Sequence, residues 1–225
     1  LIKEQGNLSY TEAVIEASKI IGQPTNFSIK ETDNSKELSS TTTATKSKSY
    51  DYGQRVWQES QPIKGTLAEK YLEHRGIENT NLTGLRFHHG VYTKESENNF
   101  QPALVASFTD KDRNINAIEV IYLDKETGLK AQDFHTGKRT YGSKNGSAVD
   151  LSPYNQDTKI SFITEGAITG LSVKEAYPDE HVIAVGGKEN IANISHDILN
   201  DNVVICADND GKDISQDRQL NNVIQ

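Results

Sequence analysis

The run Val203-Val204-Ile205-Cys206-Ala207, followed at once by Asp208-Asn209-Asp210-Gly211, restricts the fold more than any other stretch of the chain. Five consecutive small or apolar residues predict a strand buried on both faces, as in the interior of a parallel sheet. That strand would end in two carboxylates one residue apart. Along an extended chain, residues i and i+2 share a side, so Asp208 and Asp210 can face the same way. Two carboxylates at the tip of a buried strand repel each other unless a cation offsets them. Hard oxygen donors of this kind suit Mg²⁺ (or Mn²⁺), which is usually held by one or two carboxylates, waters and substrate phosphates.

The C-terminal region offers a sheet for this strand to join. Ile160 to Thr164 reads as a short apolar strand, followed by a helical run through Ala167, Leu171, Val173 and Ala176 to Tyr177. His181 to Val185 reads as a second strand, then Gly186-Gly187 and a helical stretch to about Leu199, with Val203 to Ala207 as the third strand. The residues Asp213 to Gln225 read as a further helix. Strands alternating with helices predict right-handed crossovers and a parallel sheet, an α/β fold whose ligands gather at the carboxyl ends of the strands. On that edge fall Glu165, Gly186-Gly187 and the aspartate pair. Together Glu165, Asp208 and Asp210 could hold one or two Mg²⁺ ions for phosphoryl or nucleotidyl transfer. Gly166 would let a phosphate come close to the backbone. Glu165 also has a plainer reading, as an acidic residue at a helix start favoured by the macrodipole. Gly186-Gly187-Lys188 lacks P-loop spacing and reads as a turn.

The middle of the chain is α+β in character. Order resumes at Arg55-Val56-Trp57, with Trp57 as a core anchor. Thr66-Leu67-Ala68-Glu69 has capping-box spacing, and Leu67, Tyr71 and Leu72 continue a helix that stops at Gly76. Ala103 to Phe108 and Ile115 to Leu123 predict an antiparallel hairpin across the polar turn Asp110 to Asn114, and Asp124 to Gly128 turns the chain towards a third strand. His88-His89 has no partner at metal-ligand spacing, which predicts a structural role. Lys130, Lys138, Arg139 and Lys144 lie close in sequence with few acids among them. They could supply cationic contacts to phosphate, or simply form a solvated strand end.

At the other end, Ser9-Tyr10-Thr11-Glu12 opens an amphipathic helix that stops at Gly22 and Pro24. Residues 28–53, rich in Ser, Thr, Lys, Asp and Glu, predict a flexible linker because so little apolar surface cannot offset the entropy of ordering. The net charge of −8 argues against a general nucleic-acid coat but leaves room for a basic groove. No stretch reaches the roughly 18 apolar residues of a membrane span, and no signal peptide is visible. The one cysteine, Cys206, excludes an internal disulfide and a cysteine zinc site, and a cytoplasmic location is expected. The absence of methionine, even at position 1, suggests a piece of a longer product.

Ile163-Thr164-Glu165-Gly166, with Ala207-Asp208-Asn209-Asp210 some forty residues later, resembles the Toprim domain of bacterial and mobile-element primases. The similarity extends upstream. Leu85-Arg86-Phe87-His88, Pro102-Ala103-Leu104-Val105-Ala106, Ile121-Tyr122-Leu123-Asp124 and Lys138-Arg139-Thr140-Tyr141-Gly142 resemble the region before Toprim in phage and plasmid primases. Arg55 to Ser60 and Gly65 to Leu72 resemble its start, and Leu8 to Gly22 resembles the end of a zinc-ribbon module. The resemblance implies four regions: 1–27, a helix left from a zinc-ribbon-like module; 28–53, the linker; 54–157, an α+β primase subdomain; and 158–225, an incomplete Toprim domain. It implies a DNA primase, a nucleotidyltransferase making short RNA primers on single-stranded DNA in replication, or in transfer of a plasmid by conjugation or of a phage-like element. Asp208 and Asp210 would coordinate Mg²⁺, Glu165 would be metal ligand or general acid/base, and Lys138, Arg139 and Lys144 would face template and nucleotide phosphates. Single-stranded DNA, ribonucleoside triphosphates and a replicative helicase are the implied partners. The zinc-ribbon ligands are absent from the sequence. Two other readings stay open: a Toprim nuclease or topoisomerase that cleaves DNA, and a non-catalytic nucleic-acid-binding remnant.

Overall fold

Alternating apolar residues build two four-stranded sheets. The computed structural model describes residues 48–79, 82–132, 134, 137–152 and 157–207. The chain divides into two compact units, Leu1–Ala44 and Thr45–Gln225, and every described residue belongs to the second. The predicted N-terminal helix, the linker up to residue 47, Asp208, Asp210 and the helix expected after Asp213 lie outside the described residues.

The first sheet is an antiparallel meander of β1 (Leu85–Tyr92), β2 (Phe100–Thr109), β3 (Ile115–Tyr122) and β4 (Lys138–Gly142), in that order. The predicted hairpin is β2 and β3, paired from Ala103 opposite Tyr122 to Phe108 opposite Ala117. Its turn is held by the Asp110 carboxylate, which accepts from the backbone N–H groups of Asp112 and Asn114 and from the Asn116 amide. Burial alone would raise the pKa of Asp110, but these hydrogen bonds outweigh it and hold the group below the ordinary carboxylate value.

Two helices flank this sheet. α1 (Lys48–Glu59) begins inside the stretch 28–53 expected as linker, so residues 48–53 are helix instead. A polar composition hid it: the Tyr52 ring packs tilted at 4.8 Å on Tyr141, and Gly53 lies against the same tyrosine, so few residues do the packing. α2 (Leu67–His74) starts where the capping box predicted. Thr66 Oγ1 accepts from the Ala68 N–H and donates to the Ile63 carbonyl, while Glu69 reaches back to the Gly65 N–H, one residue before the cap.

The second sheet contains β5 (Val149–Asp150), β6 (Ile160–Thr164), β7 (His181–Ala184) and β8 (Asn202–Cys206), ordered β5-β7-β6-β8. β6 pairs in parallel with both β7 and β8, as expected, and β5 adds an antiparallel edge. α3 (Ala167–Ala176) connects β6 to β7. Gly170 lets it come close, since a Cβ there would meet Leu151 Cδ1 at 2.3 Å and Thr164 Oγ1 at 2.7 Å. The helix expected after Gly187 is instead two 3₁₀ pieces, Lys188–Asn193 and His196–Ile198. Ser195 interrupts the run, its hydroxyl accepting from the Asp197 N–H to start the second piece. β8 also departs from expectation. Among the described residues it pairs on one flank only, and Val203 and Val204 are 41% and 40% exposed, so it is an edge strand there and not one buried on both faces.

Alternation decides what each face buries. One face of the first sheet (Leu85, Phe87, Leu104, Phe108) shares a core with Tyr71 and Leu72 of α2 and with Phe162, Leu171 and Val182. The other face (Val105, Ile118, Val120, Tyr122, Tyr141) packs beneath Val56 and Trp57 of α1. Each fully buried side chain of this size contributes roughly 1.5–3 kcal/mol. The far face of the second sheet, Ile163, Ile183 and Val185, is covered by Ile191 and Ile194 of the 3₁₀ segment.

Candidate functional site

β6 ends at Thr164, and its register sets Thr164 opposite both Ala184 of β7 and Cys206 of β8. Three parallel strands thus finish level at one rim. Pairing continues one step beyond them: the Val185 N–H donates to Thr164 O at 2.9 Å and the Gly186 N–H donates to Glu165 O at 2.7 Å. Glu165, placed by the sequence just after the first parallel strand, stands on this rim, and Gly166 forms the extended N-cap of α3. A Cβ on Gly166 would meet open space.

The Glu165 carboxylate faces Lys188, with Oε1 3.5 Å from Nζ, and both side chains are more than four-fifths buried. No sequence pattern points to Lys188 at this rim, since Gly186-Gly187-Lys188 reads only as a turn. The described chain leaves β8 at Ala207, on the same rim. Among the described residues no group of three His, Cys, Asp or Glu side chains is set to hold a metal ion, and Glu165 is the one predicted ligand they include.

A second group of charges meets this rim from the first sheet. The Glu119 carboxylate of β3, 9% exposed, lies 2.7 Å from Lys144 Nζ and 3.4 Å from Lys138 Nζ. Lys144 also donates to the Gly186 carbonyl at 3.1 Å and lies over the Phe108 ring. Gly186 is required there twice over. Its φ is +77°, and a Cβ would meet the Lys144 stem at 2.7 Å and the Phe108 ring at 2.8 Å. A buried carboxylate thus fixes two lysines whose charges it only partly offsets.

Arg139 is not part of this group. On β4 it pairs with Val120, whereas Lys138 pairs with Ile121 and Thr140 with Glu119. Successive strand residues face opposite ways, so Arg139 emerges on the α1 side of the sheet, its guanidinium 5.3 Å from the Tyr141 ring centre. Lys130 is exposed, and its stem lies against Gly137. Of these cations close in sequence, the pleat therefore sends the neighbours Lys138 and Arg139 to opposite faces.

Asn190, which sequence reading missed, ties the two groups together. Its Nδ2 lies 2.9 Å from the carbonyls of Lys144, Ser147 and Val185, and its Oδ1 accepts from the Gly146 N–H. The one available signal was an asparagine inside a stretch read as helix, since its amide competes for backbone groups there. His88 meets Glu59 at 3.5 Å and His89 meets Gln61 at 3.3 Å. Burial, and then the Lys174 charge, push the pKa of the buried His181 down to about 4, and burial raises that of the Cys206 thiol.

Residues 160–223 match the family model for the Toprim domain. The C-terminal region is a Toprim domain. Residues 47–151 match a second family model, described as a domain of unknown function (DUF7146), which begins at α1. No curated protein matches the chain. Among solved structures, the chain is similar to the primase fragment of the bacteriophage T7 primase-helicase protein (19% identity, 68% of this chain and 56% of that one, TM-score 0.42). It is similar to the DnaG primase catalytic domain bound to ssDNA (13% identity, 72% and 61%, TM-score 0.49). A third is the Aquifex aeolicus primase, zinc-binding and RNA polymerase domains (13% identity, 92% and 56%, TM-score 0.45). The chain spans 56–61% of the length of these three. Among the described residues no helix is long and apolar enough to cross a membrane, the Toprim helix α3 included.

Proposed function

We propose that this chain is the catalytic core of a DNA primase, a nucleotidyltransferase joining ribonucleotides on a single-stranded DNA template during replication or transfer of a mobile element. The observation that carries the reading is the Toprim rim itself, where Glu165 stands level with the ends of β7 and β8 and Lys144 reaches the Gly186 carbonyl from the other sheet. Residues 48–157, α1 included, would be the primase subdomain and 158–225 the Toprim domain.

The donor set suits a divalent cation: Glu165 offers a hard oxygen at the rim, and Asp208 and Asp210 follow β8 in sequence within four residues of its last residue, Cys206. These three carboxylates would hold Mg²⁺. When bound, the ion would offset phosphate charge and stabilise the charge that develops as the phosphodiester forms. The protein's own part is electrostatic and positional. Lys188, 3.5 Å from the Glu165 carboxylate, orients it at the rim. Lys144 and Lys138, anchored on Glu119, present cations to the triphosphate or template backbone. Contacts of that kind make binding to single strands fall steeply as salt rises.

Incubating the full chain with single-stranded DNA, ribonucleotides and Mg²⁺ tests the reading. Primer synthesis abolished by Asp208→Asn, and reduced at least about tenfold by Lys144→Ala, is the expected result. Strand cleavage in place of synthesis would assign the rim to a nuclease or topoisomerase, and DNA binding with neither product would make the chain a non-catalytic remnant.

A further inference from the structure

Lys188 is a long cationic side chain held down at the Toprim rim. Its side chain is 14% exposed and that of Glu165 17%, with Nζ 3.5 Å from Oε1. A lysine near a surface ordinarily carries its ammonium out to water, since burial costs both hydration and rotamer freedom. The backbone on either side fixes where it starts. The Gly186 N–H donates to Glu165 O at 2.7 Å. Gly186 and Gly187, with φ of +77° and +150°, then turn the chain so that Lys188 opens the first 3₁₀ piece. Two residues on, the Asn190 amide is fastened to the carbonyls of Lys144, Ser147 and Val185. The main chain of Lys188 is thus anchored from both sides, and its flexible four-carbon stem is the part that can move.

This bears on the ion proposed for the same carboxylate, and the inference rests on that reading. A divalent ion of the Mg²⁺ type sits about 2.1 Å from a carboxylate oxygen, closer than the ammonium does. An ammonium and a divalent ion on one carboxylate would stand a few ångströms apart, like charge against like charge, where little solvent screens them. We infer that Lys188 and the divalent ion are alternative partners of Glu165. Lys188 is a built-in counter-cation, holding the carboxylate at the rim until the ion displaces it. The stem then swings outward, where the exposed carboxylate of Glu189, lying against Gly187, offers the ammonium its next partner. The rim is thereby ordered without the ion, and the ion is held less tightly than the carboxylates alone would hold it.

The sign of one change decides the matter. Mn²⁺ binding to the chelator-treated full chain, followed by electron paramagnetic resonance, should tighten about fivefold or more in Lys188→Met, where the competing charge is gone. A lysine that stays in place and orients Glu165 for the ion predicts the reverse. Lys188→Arg, which keeps the charge, should not tighten binding. In the chelated chain the urea midpoint of Lys188→Met should fall below the parent's, and added Mn²⁺ should narrow the gap. Lys188→Gln, uncharged but polar, gives the same reading if the apolar variant does not fold. Mn²⁺ affinity equal to or below the parent's in both uncharged variants, while Glu165→Gln weakens it, would overturn the inference and leave the metal site standing. Affinity that Glu165→Gln does not change would overturn both.

Discussion

His181 shows how one buried side chain couples the Toprim sheet to pH. It is 2% exposed on β7, its Nδ1 3.0 Å from Ser161 Oγ, and burial together with Lys174 holds its pKa at about 4 against an ordinary value of 6.5. Above pH 6.5 the imidazole is neutral in both folded and unfolded chains, and its neutrality costs nothing. Between 6.5 and 4 the unfolded chain takes up the proton and the folded one does not, so stability falls as pH falls, and the loss levels off below 4. Urea unfolding at pH 7 and pH 5 should show a drop of about 2 kcal/mol from this residue. His181→Leu should remove that part of the pH dependence, and an unchanged dependence would show that other groups produce it.

At the scale of elements, the junction of the 143–147 loop, the end of β7 and the first 3₁₀ piece rests on Asn190. Its amide serves four backbone groups in a site 5% exposed. Asn190→Ala leaves these groups unpaired and should cost about 2–4 kcal/mol, read as a lower urea midpoint. A midpoint within error of the parent would mean that water replaces the amide. Much of the architecture around it was legible. The β2–β3 hairpin announced itself by two apolar runs about a polar turn, α2 by its capping box, and β6 and β7 by short apolar runs separated by a helical pattern. What was not legible had physical causes. β1 was hidden as a strand because His88, His89 and Gly90 interrupt its alternation at a bulge. β5 has two residues and no pattern to show. Clustering in sequence suggested that Lys138 and Arg139 act together, but a period of two sends neighbours to opposite faces. The edge position of β8 follows from strand order, which an apolar run does not reveal.

At the scale of the whole molecule, charges from both described sheets meet at one rim. The first contributes Glu119 with Lys138 and Lys144, the Toprim sheet contributes Glu165, Lys188 and Gly186, and Lys144 bridges them through the Gly186 carbonyl. Glu165 was legible because it follows a strand directly. Lys188 was not, because only the backbone turn at Gly186-Gly187 brings it back to the rim. The account turns on the three carboxylates Glu165, Asp208 and Asp210 acting on a single divalent ion, and Mn²⁺ binding to the full chain, followed by electron paramagnetic resonance, tests it most directly. Glu165→Gln and Asp208→Asn should each weaken Mn²⁺ binding by more than about tenfold, and the double variant should lose much less than the sum of the two because both act on one site. Mn²⁺ affinity in Glu165→Gln equal to that of the parent chain would contradict the account.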